Sequence, residues 1–110
     1  MIETIDSDQT LNKKIANYLG LAQKAGKIAA GDMAVLTAIK KGKAKLILIA
    51  SDIAPSVKKE LEAELDHSVI PVYVWEDKIY LGSIIGKSKR GALAVLDKGF
   101  ADVIEKLFLT

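Results

Sequence analysis

The sequence predicts a three-layer α/β/α sandwich around a small, four-stranded, largely parallel or mixed sheet. Three observations carry that reading. Helical and extended periodicities alternate along the whole chain. The run Lys45-Leu-Ile-Leu-Ile-Ala50 is continuously apolar, as in strands covered on both faces. Glycines and prolines punctuate the pattern at nearly every change of period. Strands that alternate with helices favour a layered α/β fold.

Leu11, Ile15, Tyr18, Leu19, Ala22 and Ala25 recur at helical spacing, with Asp8 or Thr10 as the expected cap and Gly26 in the C′ position. A short extended piece at residues 27–30 follows. Gly31 then opens a second helix whose inner face is Val35, Leu36 and Ile39, and Gly42 ends it. After the strand at 45–50, Pro55 suits the first turn of a third helix. Val57, Leu61 and Leu65 should be its buried stripe, with Glu60, Glu62 and Glu64 towards water. Residues 69–75 read as a strand that Pro71 confines to an edge or a strand start. A short helix at 79–85 closes at Gly86, a strand spans 91–96, and Phe100, Val103, Ile104 and Leu107 mark a final amphipathic helix. A length of 110 residues suits one domain over 1–110 with a single-domain core, with residues 1–8 expected to fray.

Composition removes several functions. Without cysteine there is no disulfide scaffold, thiolate metal site or cysteine nucleophile, and His67 alone cannot make a two-histidine metal site. Glu60, Glu62, Glu64 and Asp66 read as a solvated face, because nothing near them would separate two carboxyl pKa values for acid–base work. Gly82-Ser-Ile-Ile-Gly-Lys-Ser88 resembles a phosphate-binding P-loop but is too short, and it leads out of a helix into a strand. No catalytic residue, metal site or cofactor is expected, and the chain does not read as an enzyme. The longest apolar run is far below the roughly 20 residues of a membrane helix, and an acidic, polar start is unlike a signal peptide. A cytoplasmic protein with no membrane partner is the expectation.

The formal charge of +2 conceals an asymmetry. Between Gln9 and Ser51 lie eight lysines and one acid, Asp32, a net +7; from Asp52 to Thr110 the balance is −2. Such a segment suggests one basic face and an anionic partner. Two bland readings stand beside it. Lys40 and Lys41 favourably face a helix C-terminus, and Asp32 does the same at a helix start. A second basic cluster, Lys87, Lys89 and Arg90, lies between the short helix and the last strand.

Four separated stretches, in order, resemble one family: Leu19-Gly-Leu-Ala-Gln-Lys-Ala-Gly-Lys-Ile-Ala-Ala-Gly31, Lys41-Gly-Lys-Ala-Lys-Leu-Ile-Leu-Ile-Ala-Ser-Asp52, Val69-Ile-Pro-Val-Tyr-Val, and Leu81-Gly-Ser-Ile-Ile-Gly-Lys-Ser88. They look like the kink-turn RNA-binding ribosomal proteins, relatives of box C/D ribonucleoprotein core and SECIS-binding proteins. The ending Asp97-Lys-Gly-Phe100 is most similar to the bacterial YlxQ-like branch. The resemblance spans residues 10–106 and implies the same α/β/α fold. It also implies a ribosome- or translation-associated protein whose partner is structured RNA, ribosomal or kink-turn-like, with ribosomal or translation-factor proteins nearby.

Residue by residue, the resemblance places the family's helix-opening glycine at Gly31. The asparagine and glutamate that read sheared G·A pairs correspond to Met33 and Ala34, and a following lysine to Thr37. Met and Ala cannot make bidentate base contacts. The RNA-binding set implied is Lys24, Lys27, Gly31, Asp32, Met33, Ala34, Thr37, Lys41, Lys87, Lys89 and Arg90. The lysines would contact phosphate, Gly31 would admit the RNA backbone, and Glu76 and Asp77 would repel it. The alternative is a protein–protein interaction module on the same fold that has lost kink-turn specificity, using the apolar helix start Met33-Ala-Val35.

Overall fold

The computed structural model describes residues 2–110, with side chains from Thr10 onward. The elements are α1 (Ile2–Lys24), β1 (Ile28–Ala30), α2 (Asp32–Lys40), β2 (Leu46–Ile49), α3 (Pro55–Leu65), β3 (Val72–Val74), α4 (Lys78–Ile84), β4 (Ala92–Val95) and α5 (Lys98–Phe108). The strand order is β1-β4-β2-β3. Strand β4 runs antiparallel to both β1 and β2, whereas β3 pairs parallel to β2. The sheet is therefore mixed, and the α/β/α expectation holds.

Period-2 alternation in the two central strands divides the core between the faces. Leu46, Leu48, Leu93 and Val95 point to one side, where they pack with Ile15 and Leu19 of α1, Leu81 of α4, and Ala101 and Ile104 of α5. Ile47, Ile49, Ala92 and Ala94 point to the other and meet Val35, Leu36 and Ile39 of α2 and Leu61 of α3. All four residues of β2 and all four of β4 are buried, as a continuous apolar run requires when both faces are covered.

The structure adjusts several boundaries. Helix α1 is already helical from Ile2, so neither Asp8 nor Thr10 opens it. Fraying is expected over residues 1–8; Met1, and the side chains of residues 1–9, lie outside the described residues. Strand β3 keeps only residues 72–74 of the expected 69–75, and Pro71 stands just before it at a sheet edge. On α3 only Leu61 is fully buried, while Val57 and Leu65 are half-buried. The reason is position: α3 packs beside α2 near the sheet edge and does not sit over the sheet centre. Glu64, expected in water, is half-buried and pairs with Lys40 at 3.8 Å.

Candidate nucleic-acid interface

Because β1, β2 and β3 are parallel and β4 opposes them, four connections meet at one end of the sheet. They are β1–α2, β2–α3, β3–α4 and α4–β4, and backbone hydrogen bonds join them into a ring. Gly31 N–H donates to Ala92 O at 2.9 Å, Ala50 N–H to Gly91 O at 2.9 Å, Ser51 N–H to Glu76 O at 2.8 Å, and Arg90 N–H to Lys78 O at 3.0 Å. Lys78 N–H donates to the Asp52 carboxylate at 2.9 Å. Each loop is thus held by its neighbours, which pre-orders the surface they present.

Gly31 caps α2 with φ 100° and ψ 161°, a region essentially reserved for glycine. The Arg90 side chain passes over it, its Cδ 3.5 Å from where a Cβ would stand. The Arg90 guanidinium curls back on its own loop: Nη1 donates to Ser88 O, Ser88 Oγ and Lys89 O at 2.8–3.0 Å. Lys87 and Lys89 are left exposed on that braced loop. Asp32 follows Gly31 in the first turn of α2, where its charge favourably meets the helix dipole. Its Oδ1 is buried and occupies space beside Gly91, 2.9 Å from that residue's would-be Cβ.

The acids of the β3–α4 connection have local tasks. Trp75 Nε1–H donates to Asn12 Oδ1 at 3.1 Å, and Asn12 Nδ2–H donates onward to Glu76 Oε2 at 3.2 Å. Glu76 takes a left-handed backbone turn, φ 58°. Asp77 caps α4 by accepting from Tyr80 N–H at 2.8 Å. Both carboxylates expected to face phosphate therefore accept hydrogen bonds from their own domain. Burial, and then the Glu76 charge, push the Tyr80 phenol above its usual range.

Of the expected site residues, the fold brings Gly31, Asp32, Met33, Ala34, Lys87, Lys89 and Arg90 together at this end. Thr37 is exposed one turn further along α2. Lys24, Lys27 and Lys41 are elsewhere. Lys24 ends α1, Lys27 O accepts from Leu96 N–H at the far end of β4, and Lys41 caps the far end of α2. Four residues of extended chain, or nine of helix, span about 13 Å. The one basic face expected is thus not contiguous: Lys24, Lys27 and Lys41 of the +7 segment lie at one end of the sheet and Lys87, Lys89 and Arg90 at the other, and this is a correction. Sequence reasoning passed over Asp52, Ile53 and Ala54, which complete the ring, and Ile79 on the first turn of α4. The only sequence signal for the former was their place between a strand end and Pro55. Met33 and Ile79, 76% and 72% exposed, are apolar projections beside the ring. Among the described residues, no cluster of three His, Cys, Asp or Glu side chains could hold a metal ion.

An α/β/α domain with a mixed four-stranded sheet, a glycine-opened helix and a braced basic loop at one sheet end defines a recognisable class. The chain belongs to the ribosomal protein L7Ae/L30e/S12e/Gadd45 family, whose model matches residues 13–105. RNA-binding protein YlxQ of Bacillus subtilis is 34% identical over 89 residues, covering 81% of this chain and 89% of that protein. Large ribosomal subunit protein eL30B of Schizosaccharomyces pombe is 40% identical over 100 residues, covering 89% and 82%. A solved structure of a protein of unknown function from Bacillus halodurans C superposes with a TM-score of 0.82 at 32% identity, covering 88% of this chain and 98% of that one.

Proposed function

We propose that this chain is a non-enzymatic RNA-binding protein with a ribosome- or translation-associated role, and that it holds structured RNA against the ring of loops at the C-terminal ends of β1–β3. The observation that carries the reading is the juxtaposition of the Gly31-opened helix with the braced loop of Lys87, Lys89 and Arg90. It is supported by the family match, by a relative named as an RNA-binding protein and by another that belongs to the large ribosomal subunit. No described helix is long and apolar enough to cross a membrane, and the translation-associated role proposed here would be exercised in the cytoplasm.

Phosphate contacts from the loop lysines would supply most of the affinity, and RNA shape most of the selectivity. Met33, Ala34 and Thr37 offer no bidentate pair for a base edge. Met33 and Ile79 instead offer apolar surface to an unstacked base. Titration of a kink-turn duplex and a straight duplex at several salt concentrations tests this. Three phosphate contacts, from Lys87, Lys89 and Arg90, give a log–log slope of about −2 to −3, with tighter binding to the kinked form. A flat salt response overturns the reading, and equal affinity for the two duplexes removes the shape preference.

The exposed apolar start of α2 favours a second reading, a protein-binding module on the same fold. Capture of a protein partner that survives nuclease treatment and is lost in Met33→Lys supports it.

A further inference from the structure

Strand β3 ends the sheet on the side remote from β1, and nothing among the described residues pairs with its outer edge. The parallel register with β2 decides which of its groups are free. Ile47 N–H donates to Pro71 O and Trp75 N–H to Ile49 O, with Val72 opposite Ile47 and Val74 opposite Ile49. Residues 71, 73 and 75 therefore turn their backbone groups inward, and Val72 and Val74 turn their N–H and C=O groups outward. Pro71, whose missing N–H lies on the inward side, does not guard this edge.

The side chains of Val72 and Val74 lie on the α3 side, where they floor an open groove with Ile49 and Leu65 of about 540 Å³. Val74 is 60% exposed. The groove wall is polar and has a direction: Lys58 stands towards the Val74 end, and Glu62 and Asp66 towards the Val72 end. Exposed valines on a free edge strand are a docking template that proteins ordinarily cover or charge.

We propose that this edge is the docking surface for a second copy of the chain, giving a two-fold dimer with a continuous eight-stranded sheet. The edge is complementary to itself in two independent ways. Antiparallel pairing about an axis at Tyr73 sets Val72 opposite the second copy's Val74, and the reverse. Each such pair exchanges two N–H···O bonds, so both outward residues are satisfied on both copies. The same axis turns the Lys58 end of one groove towards the Glu62 and Asp66 end of the other, so opposite charges face each other twice. The four valines then form one apolar strip between the two α3 helices. An isologous contact of this kind closes at two copies and leaves no further edge of the same type. Its Val74 end adjoins the β2–α3 and β3–α4 connections, while Gly31 and the 87–90 loop lie across the sheet at β1 and β4 and stay open.

Sedimentation equilibrium of nuclease-treated protein, from roughly 1 μM to 1 mM, tests the proposal. The expected result is a rise from the chain mass to twice that mass, with no larger species. Val74→Pro removes only an outward N–H, so the monomer should fold and melt as before, yet stay monomeric at every concentration. Val74→Lys, which places charge in the valine strip, gives the same result by a different route should the proline variant fold poorly. Amide exchange supplies a residue-level reading: Val72 and Val74 become protected as concentration rises, whereas Tyr73 is protected throughout. A wild-type chain that stays monomeric to 1 mM, or a dimer that persists in both variants, overturns the proposal.

Discussion

Gly82→Ala and Gly20→Ala are the same chemical change in two helices, and the structure gives them opposite signs. A Cβ on Gly82 would stand 2.0 Å from Ser88 O, 2.6 Å from Ser88 C and 3.0 Å from Lys89 Cα. All three are backbone atoms, so no side chain can swing aside. Restoring an ordinary C···O contact of about 3.3 Å requires α4 and the 86–91 loop to part by more than 1 Å. That loop is tied to Gly82 itself, since Lys87 N–H donates to Gly82 O at 2.9 Å. Overpacking of this kind costs about 1–3 kcal/mol or more where the backbone must move, against a gain of about 1 kcal/mol in helix propensity. Because only backbone atoms crowd the site, the upper end of that cost, about 3 kcal/mol, applies, and the net is a loss of about 2 kcal/mol, or roughly 8–16 °C in Tm for a domain of this size. At Gly20 the would-be Cβ meets only Ile84 O at 3.7 Å, an ordinary contact. Propensity then dominates, and the variant should gain about 0.5–1 kcal/mol. Thermal and urea unfolding followed by circular dichroism measure both. A Gly82→Ala protein as stable as wild type would refute the claim that α4 is packed directly on the basic loop.

Three further outcomes follow from the same geometry. Replacing Lys87 and Lys89 together by Ala should flatten the salt slope of RNA binding by about 1.5 units, whereas the Lys24/Lys27 double Ala variant should leave it unchanged; filter binding across a salt series distinguishes the two. Asp97 caps α5 by accepting from Phe100 N–H at 2.9 Å, so Asp97→Ala should cost about 1 kcal/mol in denaturant unfolding. Burial against Phe108, and then the Glu105 carboxylate to which its hydroxyl donates at 3.3 Å, hold the Tyr73 phenol above its usual value of 10.0. Its contribution to stability is therefore full below about pH 10 and is lost as pH rises from there through the folded value. Glu105→Gln should bring the phenolate absorbance transition down, and an unchanged transition would contradict the assignment.

The fold was legible because its signals are local. Leu46–Ala50 announces a strand covered on both faces, and Gly31, Gly42 and Gly86 mark real positive-φ turns. The site was legible only in part. Lys24, Lys27 and Lys41 are near Gly31 in sequence, yet a strand or a helix carries the chain about 13 Å, to the other end of the sheet, before reaching them. Charge counted along the chain cannot register that separation. The partner of Glu76 is invisible locally, because Asn12 lies 64 residues away, whereas that of Asp77 is the N–H of Tyr80, a local helix cap three residues on. The contact of Gly82 with Ser88 likewise exists only once α4 folds back on its own exit loop. What the parallel strands bring together, and composition cannot, is the ring of four connections.

The most direct test of that ring is a map of protein–RNA crosslinks by mass spectrometry, with a kink-turn RNA bound to the intact chain. Crosslinks should fall at Gly31–Thr37, Asp52–Ala54, Glu76–Ile79 and Lys87–Gly91. Crosslinks confined to Lys24, Lys27 and Lys41–Lys45, at the other end of the sheet, would contradict the account.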